Sequence, residues 1–119
     1  MRPRVLIVDE PGAGADDYES RRIYQQLREI NKSGMAVMVI THDMRRVMEF
    51  ASRVVVMCAG EVLLDGPTLD VFRREDVLAR AWVKAPAVMS IAEELERETG
   101  LRLQARSVED LCALAEGKA

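Results

Sequence analysis

The sequence predicts an α/β fold that runs into a helical tail, and three observations carry that reading. Two short, unbroken aliphatic runs, Val5-Leu6-Ile7-Val8 and Met35-Ala36-Val37-Met38-Val39-Ile40, each end in polar residues. Between them the apolar residues recur at helical spacing. After Gly66-Pro67 every segment carries a helical pattern. Continuous β-branched runs without alternation mark strands covered on both faces, as in a parallel sheet. Strands alternating with helices argue for βαβ units.

Each element has its own reason. Residues 5–8 are too few for a helix and read as a strand buried on both faces. Asp9-Glu10-Pro11-Gly12-Ala13-Gly14-Ala15-Asp16 is a loop, with Asp16 or Asp17 placed to cap a helix. That helix is expected from Tyr18 to Lys32, with Ile23, Leu27 and Ile30 on one stripe, Arg21, Arg22, Arg28 and Glu29 in water, and Gly34 as its stop. Residues 35–40 form the second strand, and Asp43 can cap a helix from Met44 to Ser52 that turns Met44, Val47, Met48 and Ala51 inward. Val54–Met57 and Glu61–Leu64 read as a hairpin across Ala59-Gly60.

In the tail, Thr68 is placed to cap a helix carrying Leu69, Val71 and Phe72. A further helical segment runs through Val77, Leu78 and Trp82 until Pro86 breaks it. Ala87–Glu98 is amphipathic, with Val88, Ile91 and Leu95 as its stripe and Gly100 as its stop. Ser107-Val108-Glu109-Asp110 resembles a capping box. The expected division is residues 1–66 and residues 67–119. Met35, Met38, Met44, Met48 and Met57 read as core packing, Trp82 as packing within the tail, and Cys58 and Cys112 as buried free thiols.

Composition narrows the function. A chain of 119 residues, 49% apolar, suits one folded domain. The net charge of −3 offers no basic field for nucleic acid. The two cysteines form no CxxC pair, which argues against a disulfide or metal framework and for a reducing compartment. Arg2-Pro3-Arg4 leads straight into the first strand, so no leader is expected. No apolar run is long enough to span a bilayer, so work at a membrane would need another subunit to provide the span.

Ligands of parallel α/β sheets bind beyond the carboxyl ends of the strands. Asp9-Glu10 ends the first strand here and His42 comes after the second, so a βαβ unit brings all three to one edge. The types suit phosphoryl chemistry. A carboxylate at a strand tip suits Mg²⁺, a hard cation that takes oxygen ligands. A second carboxylate can polarise a water, and a histidine can contact the phosphate and help position that water. Asp16 is also fully explained as a helix cap.

Val5-Leu6-Ile7-Val8-Asp9-Glu10-Pro11 resembles the Walker B strand of the ATP-binding-cassette (ABC) ATPases, within the P-loop NTPases. Gly14-Ala15-Asp16 resembles their D-loop, Val39-Ile40-Thr41-His42-Asp43 their H-loop, and residues 61–67 their closing hairpin. The tail, through Ala85-Pro86, Leu95, Gly100-Leu101 and Ser107-Val108-Glu109-Asp110-Leu111, is similar to that of the energy-coupling-factor and cobalt-type subgroup, importers of vitamins and transition-metal ions.

The resemblance implies the C-terminal part of an ATPase domain with ATP and Mg²⁺ as cofactors. It implies Asp9 as the metal partner, Glu10 as the general base or water-orienting residue, His42 as the histidine that senses the γ-phosphate, and Asp16 at the interface with a second ATPase domain, in a homo- or heterodimer. It further implies a transmembrane coupling subunit and a cytoplasmic place on the inner face of the membrane. No GxxxxGK[ST] loop or LSGGQ-like signature occurs in the sequence. The isolated chain is therefore expected to bind ATP negligibly. Two alternatives remain open: a non-catalytic remnant or partner-binding chain, and an ABC ATPase of repair or translation.

Overall fold

The computed structural model describes residues 4–117. The Met1-Arg2-Pro3 lead-in lies outside them. Strand β1 (Val5–Asp9) pairs in parallel with β2 (Ala36–Ile40), Val5 opposite Ala36 and Asp9 opposite Ile40. Helix α1 (Asp17–Lys32) makes the crossover, opened by Asp16 and closed by Ser33 ahead of Gly34. This is the expected βαβ unit, and its in-register pairing puts the carboxyl ends of both strands level.

Helix α2 (Met44–Phe50) comes next, with Asp43 accepting from the backbone N–H of Arg46. Strands β3 (Arg53–Cys58) and β4 (Glu61–Pro67) form an antiparallel hairpin in a second two-stranded sheet. Ala59 and Gly60 both have positive φ, +50° and +79°, the turn geometry whose twist matches that of the flanking strands. Four helices complete the chain: α3 (Thr68–Phe72), α4 (Glu75–Arg80), α5 (Ala87–Thr99) and α6 (Val108–Ala115). The α/β class with a closing hairpin and helical tail is as the sequence predicts.

The core is off-centre. Met48 of α2, Val56 of β3, Val71 and Phe72 of α3, Leu78 of α4, Val88, Met89 and Ala92 of α5, Ala105 and Leu111 form one buried cluster. By contrast α1 buries only Ser20 and Tyr24, and no residue of β1 or β2 is fully buried. The radius of gyration, 15.4 Å, exceeds the about 13.5 Å of a compact chain of this length.

Several sequence expectations are corrected. The first two strands are covered on one face only. Leu6, Val8, Val37 and Val39 are half-buried, whereas Val5, Ile7, Met38 and Ile40 are exposed. A single helix layer shields one side of a two-stranded sheet, and an apolar run does not say what lies against its second face. Met57 is exposed for the same reason on the hairpin, and Cys112 is exposed while Cys58 is half-buried.

Thr68 is not a cap; it starts α3 with its hydroxyl donating to the Ala51 carbonyl at 2.6 Å. Trp82 is 95% exposed. The Val83 N–H bonds to the Leu78 carbonyl and the Trp82 N–H to that of Ala79, so α4 ends in a Schellman turn with Trp82 in the left-handed position, φ +58°. That turn folds Val83 back beside Leu78 and throws the indole outward. In α5 the buried face is Val88, Met89 and Ala92, while Ile91 and Leu95 are exposed. Glu96, paired with Arg73, occupies the inward position that the expected stripe gave to Leu95.

Candidate functional site

Glu10 stands one residue beyond β1, and its N–H donates to the Ile40 carbonyl at 2.7 Å, one step past the strand pairing. Its φ is +46°, a conformation that non-glycine residues adopt only when their surroundings fix them. Here the fixing is visible. The Ala13 N–H donates back to the Glu10 carbonyl at 3.1 Å, and the side chain is gripped by the residues after β2.

His42 Nδ1 lies 2.6 Å from Glu10 Oε1, and the His42 backbone N–H donates to the same oxygen at 2.9 Å. The Thr41 hydroxyl donates to Oε2 at 3.0 Å. Burial pushes the Glu10 carboxyl up, but the bonds from the His42 ring, Thr41 and the His42 amide together hold it below the usual carboxylate range. An ionised Glu10 then places a proton on Nδ1, leaving Nε2 as the free nitrogen of a ring that is 92% exposed.

Asp9 ends β1 as an exposed residue, and no hydrogen bond or ion pair to its side chain occurs among the described residues. The structure thus brings Glu10 and His42 into contact and leaves the preceding residue, Asp9, on the exposed face of the strand with no bonded partner among the described residues. Asp16 stands apart from the pair. Its Oδ1 accepts from the Glu19 N–H at 2.8 Å, an N-cap bond.

The frame around the pair was not visible in the sequence. Gly12 packs against α1, where an added Cβ would lie 2.6 Å from Ser20 Oγ and force that side chain to move. Arg46 of α2, 2% exposed, ties the first turn of α1 to α2. It donates to the Asp17 carbonyl at 2.9 Å, to Glu49 at 2.7 Å, to Ser20 Oγ at 3.4 Å and to the Asp17 carboxylate. Tyr24 stacks on Phe50 with ring centroids 5.7 Å apart, and Arg28 lies over the same Phe50 ring. A buried arginine at a helix position that expects water gives no local cue in sequence. Only the i, i+3 spacing to Glu49 hints at a pair.

No family model matches the chain. Individual proteins do. Over 99 residues, 82% of this chain, it is 37% identical to the energy-coupling factor transporter ATP-binding protein EcfA2 of Clostridium perfringens, of which it spans 35%. Over 104 residues it is 32% identical to EcfA of Methanocaldococcus jannaschii, covering 87% of this chain and 37% of that protein. Its fold superposes on cbiO1 of Clostridium perfringens, part of the ABC transporter complex cbiONQ, with a TM-score of 0.57 and 34% identity over 76% of this chain and 37% of that one. The chain belongs to the ABC ATPases. It spans between 16% and 37% of the length of the curated relatives that it matches.

The residues present fit part of what an ABC ATPase needs. No cluster of three or more His, Cys, Asp or Glu placed to hold a metal occurs among the described residues. One free carboxylate at Asp9 is the donor set that suits Mg²⁺ when phosphate and water supply its other oxygens. The 119 residues contain no glycine-rich phosphate cradle. No helix among the described residues is long and apolar enough to cross a membrane.

Proposed function

We propose that this chain supplies the hydrolytic edge of an ATP-hydrolysing subunit in an energy-coupling-factor-type ABC importer. One observation carries the reading: the Glu10–His42 contact at the level ends of two parallel strands, one residue after the partner-free Asp9. When bound, Mg²⁺ would neutralise phosphate charge, and Asp9 is the residue to hold it. Glu10, kept ionised by its donors, accepts a proton of the attacking water and orients it. His42, fixed through Nδ1, presents Nε2 to the phosphate. Asp16 lies on the loop that would meet a second ATPase domain, in a homo- or heterodimer.

The names of the relatives, transporter ATP-binding protein and part of an ABC transporter complex, support transport, and this reading adds a separate transmembrane coupling subunit and a cytoplasmic place on the inner membrane face. Vitamins or transition-metal ions are the cargo classes of that subgroup. The phosphate loop and signature motif would come from polypeptide outside these 119 residues, whether or not it is continuous with them. A non-catalytic, partner-binding chain is the alternative that the missing cradle favours.

The test joins this chain to a phosphate-loop and signature segment of an energy-coupling-factor relative, with the chain alone as control. Glu10→Gln should retain Mg²⁺–ATP binding and lose turnover by about 100-fold or more. Undiminished turnover would remove Glu10 from its role, and tight Mg²⁺-dependent nucleotide binding by the chain alone would overturn the division of labour.

A further inference from the structure

A carboxylate offers about four lone-pair directions. In Glu10 three are filled, all from one dipeptide: Oε1 takes the His42 N–H and ring Nδ1, and Oε2 takes the Thr41 hydroxyl. The Thr41 hydroxyl is itself constrained. It accepts the Asp43 N–H at 3.0 Å, so its proton is directed to Glu10 and it cannot turn freely. Asp43 is in turn held as the cap of α2 through the Arg46 N–H. Behind Thr41 lies Tyr24, 4% exposed, its buried hydroxyl interacting with the Thr41 side chain. The β-branched threonine adds a stiff χ1 to this bracket.

We infer that Thr41 is a positioning residue for Glu10: by holding Oε2 from one side, it leaves a single unfilled lone pair on that oxygen, at a fixed place, to receive the water. Glutamate side chains have several staggered rotamers, and the bracket from Thr41 and His42 selects one of them. Thr41 touches neither phosphate nor metal in this scheme and acts only through Glu10. The inference rests on the hydrolytic role proposed for Glu10, and its first readout does not.

That readout is the amide spectrum of the 119-residue chain. The His42 amide donates to Glu10 Oε1 and should resonate downfield. Thr41→Val should move it upfield by about as much as Glu10→Gln does, and Thr41→Ser should restore it, with amides of the tail unmoved. Thr41→Ala gives the same reading where the valine variant does not fold.

In the chain joined to a phosphate-loop segment, Thr41→Val should lower kcat by about 10- to 100-fold at unchanged KM, with Thr41→Ser within about threefold of the parent. A His42 amide unmoved by loss of the hydroxyl, or a serine that fails to restore it, overturns the inference. Turnover indifferent to Glu10→Gln overturns the hydrolytic reading instead, and the amide shifts still decide the bracket.

Discussion

The βαβ unit that holds the Glu10–His42 contact and the hairpin with its helices are built on opposite principles. The second region, joined by Met48 of α2, buries ten apolar residues in one cluster. The first buries a serine and a tyrosine on α1 and leaves one face of its sheet to solvent. Its order comes from polar fixings instead: the Glu10 bracket, the Asp16 and Asp43 caps, and Arg46 between Asp17, Ser20 and Glu49. Hydrogen bonds fix direction but add little net stability each, whereas apolar burial adds stability and little direction. Side-chain aim is thus concentrated around Glu10, and cohesion is lodged in the neighbouring layer.

Two methionines measure the contrast. Met48 is 0% exposed inside the cluster. Met48→Gln keeps the length of the side chain and buries an amide with no partner, and it should cost about 3 kcal/mol of unfolding free energy. Equilibrium denaturation checks this, and a cost below about 1 kcal/mol would mean that the cluster is not what holds the fold.

A smaller effect is expected at a half-buried ion pair inside that region. Arg73 meets both oxygens of Glu96, at 2.9 and 3.0 Å, and the Leu103 N–H donates to Glu96 at 2.7 Å. The Arg73 guanidinium, then the Leu103 amide, hold the Glu96 carboxyl down at about 2 against the burial that would raise it. The folded-state value is lowered, so this contribution is complete above the unfolded carboxyl range and is lost as pH falls from about 5 towards 2. Glu96→Gln should therefore cost about 2 kcal/mol at pH 7, and the gap to the parent should close on acidification. A gap independent of pH would assign the loss to packing.

Much of this arrangement was legible in the sequence because it is local. Unbroken runs at residues 5–8 and 35–40 marked the strands, and the spacing of Ile23, Leu27 and Ile30 marked α1. The meeting of Glu10 and His42 came from one topological fact, that a βαβ unit levels the strand ends. What stayed hidden depends on contacts distant in the chain. Nothing near Arg46 says that a cation there is buried against Asp17, and nothing near Gly12 says that Ser20 lies too close for a Cβ. The outward turn of Trp82 was hidden for another reason: a left-handed helix end favours glycine, and an indole at that position gave no cue that the chain turns there.

The smallest expected effect belongs to the second methionine. Met38, 55% exposed on β2, lies opposite Ile7 on the uncovered face of the sheet, with Val5 and Ile40 on the same side. Met38→Gln removes apolar surface that water already reaches, so little transfer free energy is lost and the amide finds solvent partners. The denaturation midpoint should move by no more than about 0.5 kcal/mol equivalent. Self-association should fall, because an exposed apolar face beside free strand edges is the feature that drives chains together. Sedimentation at rising concentration reads the second effect and denaturation the first. A large loss of stability would show that this face is covered in the folded chain, and the division between a layer that aims and a layer that coheres would then have to be redrawn at β2.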